Sequence, residues 1–450
     1  MLRAQGVILR KRIVFSLFFI LFCFTSVPLF AEEAEEKEKQ KEAESENILV
    51  LRSGEWEIDA GGQVRLRGDF ARNQNFTDFG FTPGHHEAQF LERTRLQASV
   101  ENHVLNLEVF VQMQWYGRWG GINKRSAFDL YQGYIEWEKI LGSPVSLKAG
   151  RQEFLYGSAF FIGTNDFYNG LTWDGFKGSI NPFEGLTMDV LGSKMVKLNP
   201  GDPNIYLAGL YTTYKIYKEG SLEAYLFYNK GGFPFSHREF ALVDSGQNWF
   251  TLGSRFAGKV GRFDYELEPQ FQWGKVKAVG DGKDPVRAYG GHIDLGYTFK
   301  LPWEPRLFAA YAYGSGDNNP FDGRYQEFHG SIFNDSYLYG DMNVIADQSG
   351  VTVKNIHASG LQIWVAGVSI NPLSKLNVTL RAHRFLANKV SSGFNKDVGT
   401  ELDLDVSYKL TKGISFIVGL NRFYTGRFFR QASGSGKNID YGYVQAQVEF

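Results

Sequence analysis

Phe263-Asp264-Tyr265-Glu266-Leu267-Glu268-Pro269-Gln270-Phe271-Gln272-Trp273 alternates without a break: odd positions are apolar and even positions are polar. Successive side chains of a β-strand point to opposite faces, so this stretch has one oily face and one wet face. Eleven residues of strict alternation outlast an ordinary soluble strand. They match the 9–11 or so residues that a tilted strand needs to cross a bilayer.

The same period recurs outward in both directions. Strands are expected near 55–69, 90–101, 104–115, 127–138, 144–152, 171–180, 185–196, 204–217, 221–229, 246–257, 262–275, 285–300, 305–314, 360–370, 375–387, 398–410, 413–424 and 437–450, eighteen in all. The connections between them alternate in length. Short ones, such as Asn102-His103, Asn181-Pro182-Phe183-Glu184, Lys218-Glu219-Gly220 and Thr411-Lys412, follow every even strand. Long ones, including 70–89, 153–170, 230–245 and 315–359, follow every odd strand. Membrane barrels show this pattern, with short periplasmic turns and long external loops, and sandwiches and propellers have no reason to. The predicted fold is all-β, a transmembrane antiparallel barrel of about eighteen strands with both ends on the periplasmic side.

Composition agrees. The 51 glycines and the 39 Phe, 23 Tyr and 9 Trp suit a long meander with aromatic girdles. Mean hydropathy is only −0.27, as expected where every second residue faces water. A net charge of −1 predicts no nucleic-acid partner.

Before the barrel, Arg3, Arg10, Lys11 and Arg12 precede the apolar run Ile13–Phe24, and cleavage after Ala31 completes an export signal over 1–31. Residues 32–54 read as a charged periplasmic tail, opening with EEAEEKEKQKEAESEN, and 55–450 as the barrel. The single cysteine, Cys23, falls in the leader, which leaves no thiolate metal site, and no cofactor is expected. The chain ends on an alternating strand with Val444, Ala446, Val448 and Phe450 on one face. A terminal aromatic there resembles the signal read by the outer-membrane insertion machinery.

The polar face of each strand must point inward, because lipid offers charge no partner. The first strand contributes Gln63, Arg65, Arg67 and Asp69, and the second Arg93, Arg95, Gln97 and Ser99. Neighbouring strands thus gather four arginines. Glu108, Lys148, Lys177, Arg255 and Arg381 are also assigned to the lumen, with acids at Asp264, Glu266 and Glu268 and at Glu401, Asp403 and Asp405. A charged wall of this kind attracts anions, while cross-lumen pairing that stiffens the wall explains single residues equally well.

Asp129-Leu130-Tyr131-Gln132-Gly133-Tyr134, then Gly150-Arg151-Gln152-Glu153-Phe154-Leu155-Tyr156-Gly157, then Thr172-Trp173-Asp174-Gly175-Phe176 resemble the alginate export porin family. So do Gly314-Ser315-Gly316-Asp317, His329, Tyr339-Gly340-Asp341-Met342, Gly399-Thr400-Glu401-Leu402-Asp403-Leu404 and Gly426-Arg427-Phe428-Phe429. The resemblance covers nearly all of the chain after the leader. It implies a monomeric eighteen-stranded barrel in the outer membrane that passes an anionic polysaccharide outward along arginines. It makes Arg151 a lumen residue. Parity opposes that, since Val145, Leu147 and Ala149 put Arg151 on the lipid face unless Gly150 forms a bulge. The family often has basic residues where this chain has Phe160 and Leu171.

Other chemistry is weaker. His85-His86 reads as a surface pair rather than a metal site. His292 with Asp294, and His383 beside Arg381, have the parts of a base and its orienter but no nucleophile motif. Gly434-Ser435-Gly436-Lys437 lacks the upstream glycine of a phosphate loop. The expected partner is therefore an anionic polysaccharide or small anions, and the chain is read as a transporter rather than an enzyme. An anion-preferring porin for small solutes is the runner-up, and a barrel hydrolase comes third. The 45 or so residues of 315–359 exceed a hairpin loop and are expected to form either a lid or a solvated surface loop.

Overall fold

Alternating side chains make a strand, and only pairing on both edges satisfies its backbone in lipid, so a meander of such strands must close on itself. The computed structural model describes residues 49–450 except 77–78, 120–126, 165, 167, 198–203, 232–247, 278–282, 320–321, 331–335 and 343. The export signal, residues 32–48 of the tail, and much of the second, fourth, fifth and sixth external loops lie outside the described residues.

The strands are β1 (Leu49–Ser53), β2 (Trp56–Gln74), β3 (Phe81–Asn102), β4 (Leu107–Trp119), β5 (Ala127–Trp137), β6 (Val145–Gln152), β7 (Trp173–Phe183), β8 (Leu186–Met195), β9 (Tyr206–Tyr217) and β10 (Gly220–Lys230). They continue as β11 (Asn248–Val260), β12 (Phe263–Lys277), β13 (Lys283–Thr298), β14 (Arg306–Gly314), β15 (Gly350–Val353), β16 (Ile356–Leu373), β17 (Leu376–Val390), β18 (Asp397–Thr411), β19 (Ile414–Thr425) and β20 (Ile439–Glu449). Every pairing is antiparallel between neighbours, with β14 joined directly to β16. Closure comes from β2 against β20, from Gln63↔Glu449 to Arg72↔Asp440. The last residue completes the seam: Gly62 N donates to Phe450 O at 2.6 Å and Phe450 N to Gly62 O at 3.0 Å. The result is a closed antiparallel barrel of eighteen strands, β2–β14 and β16–β20. All eighteen expected strands are present.

β1 and β15 are additions. β1 pairs with Trp56–Ala60 of β2, just beyond where Phe450 leaves off. β15 pairs with Ala358 and Ser359 and their neighbours, where β16 runs past the wall. The same overshoot shortens the first external loop. The sequence reading gave it 70–89, but β2 and β3 stay paired out to Gln74↔Phe81. His85 and His86 are exposed on that extension, where polar alternation continues beyond the oily belt. The turn after β3 also shifts, to 103–106, because Asn102 Oδ1 accepts from Val104 N and Leu105 N at 3.1 and 2.9 Å. Residues 427–433 form a short helix, α1 (Arg427–Ser433), which buries Phe428 and Phe429.

Parity is read out directly in burial. On β12 Phe263, Leu267 and Phe271 are exposed, whereas Glu268, Gln270 and Gln272 are buried. Leu66, Leu96, Phe176, Leu252, Trp364 and Val444 continue the outward apolar surface. A belt of this extent belongs in lipid rather than water.

Inside, two loops fold back against the wall. Residues 153–172, between β6 and β7, bury Phe154, Phe160, Phe161, Ile162 and Leu171. Phe160 and Leu171 are 0% and 1% exposed and serve as packing residues. The Tyr156 ring stacks on Tyr211 at 4.3 Å. Residues 315–349, between β14 and β15, bury Phe328, Leu338, Tyr339, Met342 and Ile345. The described residues of 315–349 thus fold inward, against the solvated-surface alternative, and 350–359 belong to the β15–β16 hairpin.

Candidate functional site

The register of β2 and β3 sets Arg65 directly opposite Arg93 and Gln63 opposite Arg95. All four arginines of this wall are buried, with Arg93 at 1%. Cross-strand like charges destabilise a sheet unless something neutralises them. That partner is neither of the acidic zones on the wall. It is Asp166, carried in by the loop 153–172.

Arg93 Nη1 donates to Asp166 Oδ1 at 2.5 Å, Arg95 Nη1 lies 3.3 Å from the same oxygen, and Arg65 Nη1 lies 3.4 Å from Oδ2. The loop adds carbonyl acceptors. Arg65 Nη1 donates to Asp166 O at 2.7 Å, Arg93 Nη1 to Tyr168 O at 3.1 Å and Arg95 Nη2 to Asn169 O at 3.3 Å. Arg95 also lies 3.8 Å over the Tyr131 ring and donates to Gln114 at 2.7 Å. Burial on its own would raise the Asp166 carboxyl, but the guanidiniums of Arg93, Arg65 and Arg95 outweigh it and hold the group below its ordinary value. Three arginines therefore form a carboxylate seat, and Asp166 of the loop fills it.

Arg67 stands apart. It pairs with Asp69 at 2.8 Å, donates to Tyr441 at 2.8 Å and Gln445 at 3.1 Å, and lies 3.9 Å over Tyr443. Those partners come from β2 and β20, so Arg67 stitches the closing seam.

The remaining lumen cations are mostly answered by wall acids. Arg255 meets Glu223 at 2.6 Å and Glu266 at 3.0 Å. Arg381 meets Asp341 of the long loop at 2.6 Å and also Asp405. Lys148 pairs with Glu136 at 2.5 Å, on the same inward face as Glu108. Lys177 sits beside Lys148 across β6 and β7 and has no ion pair among the described residues. Glu401 is fully buried and accepts from Asp341 N and Met342 N at 2.8 and 3.1 Å, so it anchors the long loop. Asp403 accepts from Asn421 at 2.8 Å and lies 3.0 Å from His383 Nδ1, whose Nε2 lies 2.8 Å from Tyr337 O.

Arg151 corrects the expectation drawn from the motif. β6 pairs with β5 and β7 without a register shift, Gly133↔Arg151 and Arg151↔Asp174. No bulge forms, so Arg151 stays on the outward face with Val145 and Leu147. There it pairs with Asp174 at 2.7 Å and donates to Leu130 O at 2.9 Å. Gln152, one residue on, is the inward and buried side chain.

The profile of the alginate export family matches residues 56–441, which is most of the barrel. The chain belongs to the alginate export family. A search of curated proteins finds no match. Solved structures share the fold at low identity. Pseudomonas aeruginosa OpdL aligns with a TM-score of 0.60 and 12% identity, covering 87% of this chain and 98% of that one. Pseudomonas aeruginosa OccK2 (OpdF), solved in complex with glucuronate, aligns with a TM-score of 0.59 and 12% identity over 87% and 96%. A BenF-like porin from Pseudomonas fluorescens gives 0.57 and 12% over 87% and 98%. For this member of the alginate export family these neighbours share the closed-barrel fold. Asp166 and Tyr168 were invisible to the sequence reading, and Asp341 entered it only inside a family motif, because strand parity says nothing about which loop residues turn inward.

Proposed function

We propose that this chain is an outer-membrane channel through which an anionic polysaccharide leaves the cell, guided by Arg65, Arg93 and Arg95. The carrying observation is the seat itself: one carboxylate and its flanking carbonyls rest on three converging guanidiniums. A uronate unit offers the same groups, a carboxylate with oxygen acceptors beside it. Arginine suits such planar, two-oxygen recognition better than lysine does. In this reading the loop 153–172 occupies the seat at rest and the polymer's carboxylates take its place in transit. No covalent step is needed; the work is electrostatic exchange of one carboxylate for another.

Lys177, without an ion pair among the described residues, extends the positive surface onto β7. The remaining arginines are neutralised by wall acids, which gives a chain of carboxylates somewhere to go without trapping it.

Uptake of small anions is the second reading. It is favoured by the two buried loops, which fill the lumen side, and by the glucuronate held by OccK2. Reversal potentials under a salt gradient test the arginine role. The wild-type channel is expected to favour anions, and Arg65→Glu with Arg93→Glu to abolish or invert that preference. An unchanged reversal potential rules the arginine guide out.

A further inference from the structure

The pairing of β12 with β13 places Glu268 opposite His292 and Glu266 opposite Asp294. On the inward face Glu266, Glu268 and His292 each turn one ligand atom into a common space, all within 4.8 Å of one another. His292 Nε2 lies 3.4 Å from Glu266 Oε1 and 3.7 Å from Glu268 Oε2. The His292 and Glu268 side chains are 3% and 4% exposed, yet among the described residues neither His292 Nε2 nor Glu268 Oε2 has a hydrogen-bond partner.

The other edge of the imidazole explains its orientation. Nδ1 is hydrogen-bonded to Asp294 Oδ2. A carboxylate there accepts, which keeps a proton on Nδ1; whenever the ring is neutral its Nε2 lone pair faces two carboxylate oxygens. Three electron pairs then converge in a buried space, an arrangement that needs a positive charge at its centre.

Charge counting gives the same answer independently. Glu223, Glu266, Glu268 and Asp294 form one contiguous acidic group, and among the described residues Arg255 is the guanidinium within ion-pair distance of it. Four carboxylates against one guanidinium leave a surplus of three. A proton on His292 removes only one.

We propose that Glu266, Glu268 and His292 bind a divalent transition metal, best matched by zinc, with Asp294 as the group that orients the histidine. Tetrahedral zinc with bonds of about 2.1 Å keeps its ligands about 3.4 Å apart, close to the separations from His292 Nε2. An imidazole among the ligands selects zinc-like ions over calcium or magnesium. The carboxylate–histidine pairing on the far side of the ring is the usual support of such a ligand. Glu268 has the spare oxygen for it, because Oε1 is already engaged by Tyr225 at 2.5 Å and Gln270 at 3.2 Å. Glu266 Oε1 is shared with Arg255 Nε at 3.0 Å and with Ser158, which makes it the weakest of the three ligands.

Both inward loops reach this cluster. Ser158 and the Phe160 ring, 4.2 Å from the His292 ring, come from 153–172, and Tyr337 donates to Asp294 from the long loop. A bound metal would fix the wall that both loops rest on, whatever solute the channel carries.

The test uses the folded barrel in detergent, stripped with a chelator and titrated with zinc chloride by calorimetry, with zinc content measured after dialysis. One zinc per chain is expected. His292→Ala and, separately, Glu268→Gln are each expected to weaken binding at least about tenfold, and Asp294→Asn about 10- to 100-fold. His85→Ala with His86→Ala should leave that site intact. Retention of the folded band on unheated gels verifies that each variant is a barrel. No zinc retained by the wild type, meaning the acids share protons instead, overturns the site. So does equal retention by His292→Ala and Glu268→Gln.

Discussion

Replacing Asp166 with asparagine removes the charge that holds the loop 153–172 on the arginines while keeping its shape. The size of the effect follows from the contacts. A fully buried ion pair that loses one partner costs about 3–5 kcal/mol, and an exposed one about 0.2–1 kcal/mol. The Asp166 side chain is 45% exposed while its partner Arg93 is 1% exposed, so the pair falls between those limits. The carbonyl bonds to Arg65, Arg93 and Arg95 survive the change. A loss of about 2 kcal/mol is therefore reasonable, or about a 30-fold shift of the loop equilibrium toward release. Single-channel recording in planar bilayers reads this as longer open dwell times for Asp166→Asn. The pH dependence has a definite sign. The arginines hold the Asp166 carboxyl below its ordinary value. The latch is thus complete above the usual aspartate range and weakens as pH falls through the lowered value. Acidified wild type should approach the Asp166→Asn behaviour, and the variant should have lost that part of the response. Indistinguishable gating of the two proteins at neutral pH would refute the latch.

Gly340 has φ of +77°, and an added Cβ would stand 2.3 Å from Glu401 Oε1, so Gly340→Ala should break the Asp341 and Met342 N–H bonds to Glu401. A cost of about 2–4 kcal/mol is expected, seen as more frequent opening with a barrel that still folds; unchanged gating would exclude this anchor. Burial lowers His329 to about 4, so the neutral ring must take up a proton when the loop opens in acid. Loop stability is intact above the ordinary histidine value and falls by about 3 kcal/mol as pH drops from about 6.5 to 4. Hydrogen exchange of residues 325–329 should quicken over that window, and flat exchange would contradict it. Arg151→Ala should leave anion selectivity untouched, because its pair with Asp174 is on the outward face. A changed reversal potential would restore Arg151 to the lumen.

The barrel was legible because period-two alternation is a property of the strand itself. Phe263 to Trp273 announces its two faces whatever surrounds it. Closure was legible too, since an even strand count with a polar inner face leaves no other way to satisfy the edges. Parity put Arg65, Arg93, Arg95, Glu268 and Glu401 on the inner face, and the structure buries each of them. It also gave the right answer for Arg151, against the motif, because β6 carries no bulge. What alternation cannot reach is any segment without a period. Nothing about Asp166 in sequence distinguishes it from a solvated loop acid, and its role appears only when the loop folds onto Arg93. Phe160, Phe161 and Ile162 did carry a signal: three consecutive apolar residues in a loop argue that it buries itself. The same reasoning extends to Leu338, Tyr339 and Met342 in the long loop, which alternate with nothing and end up buried.

The central claim is that carboxylates of a polymer compete with Asp166 for Arg65, Arg93 and Arg95. Occlusion of single-channel current by a soluble polyuronate, compared with a neutral polysaccharide of equal length, tests it most directly. Reversible block by the polyuronate alone is predicted, weakened at higher salt and lost in Arg65→Glu with Arg93→Glu. Equal block by both polymers, or block that survives the charge reversal, would contradict it.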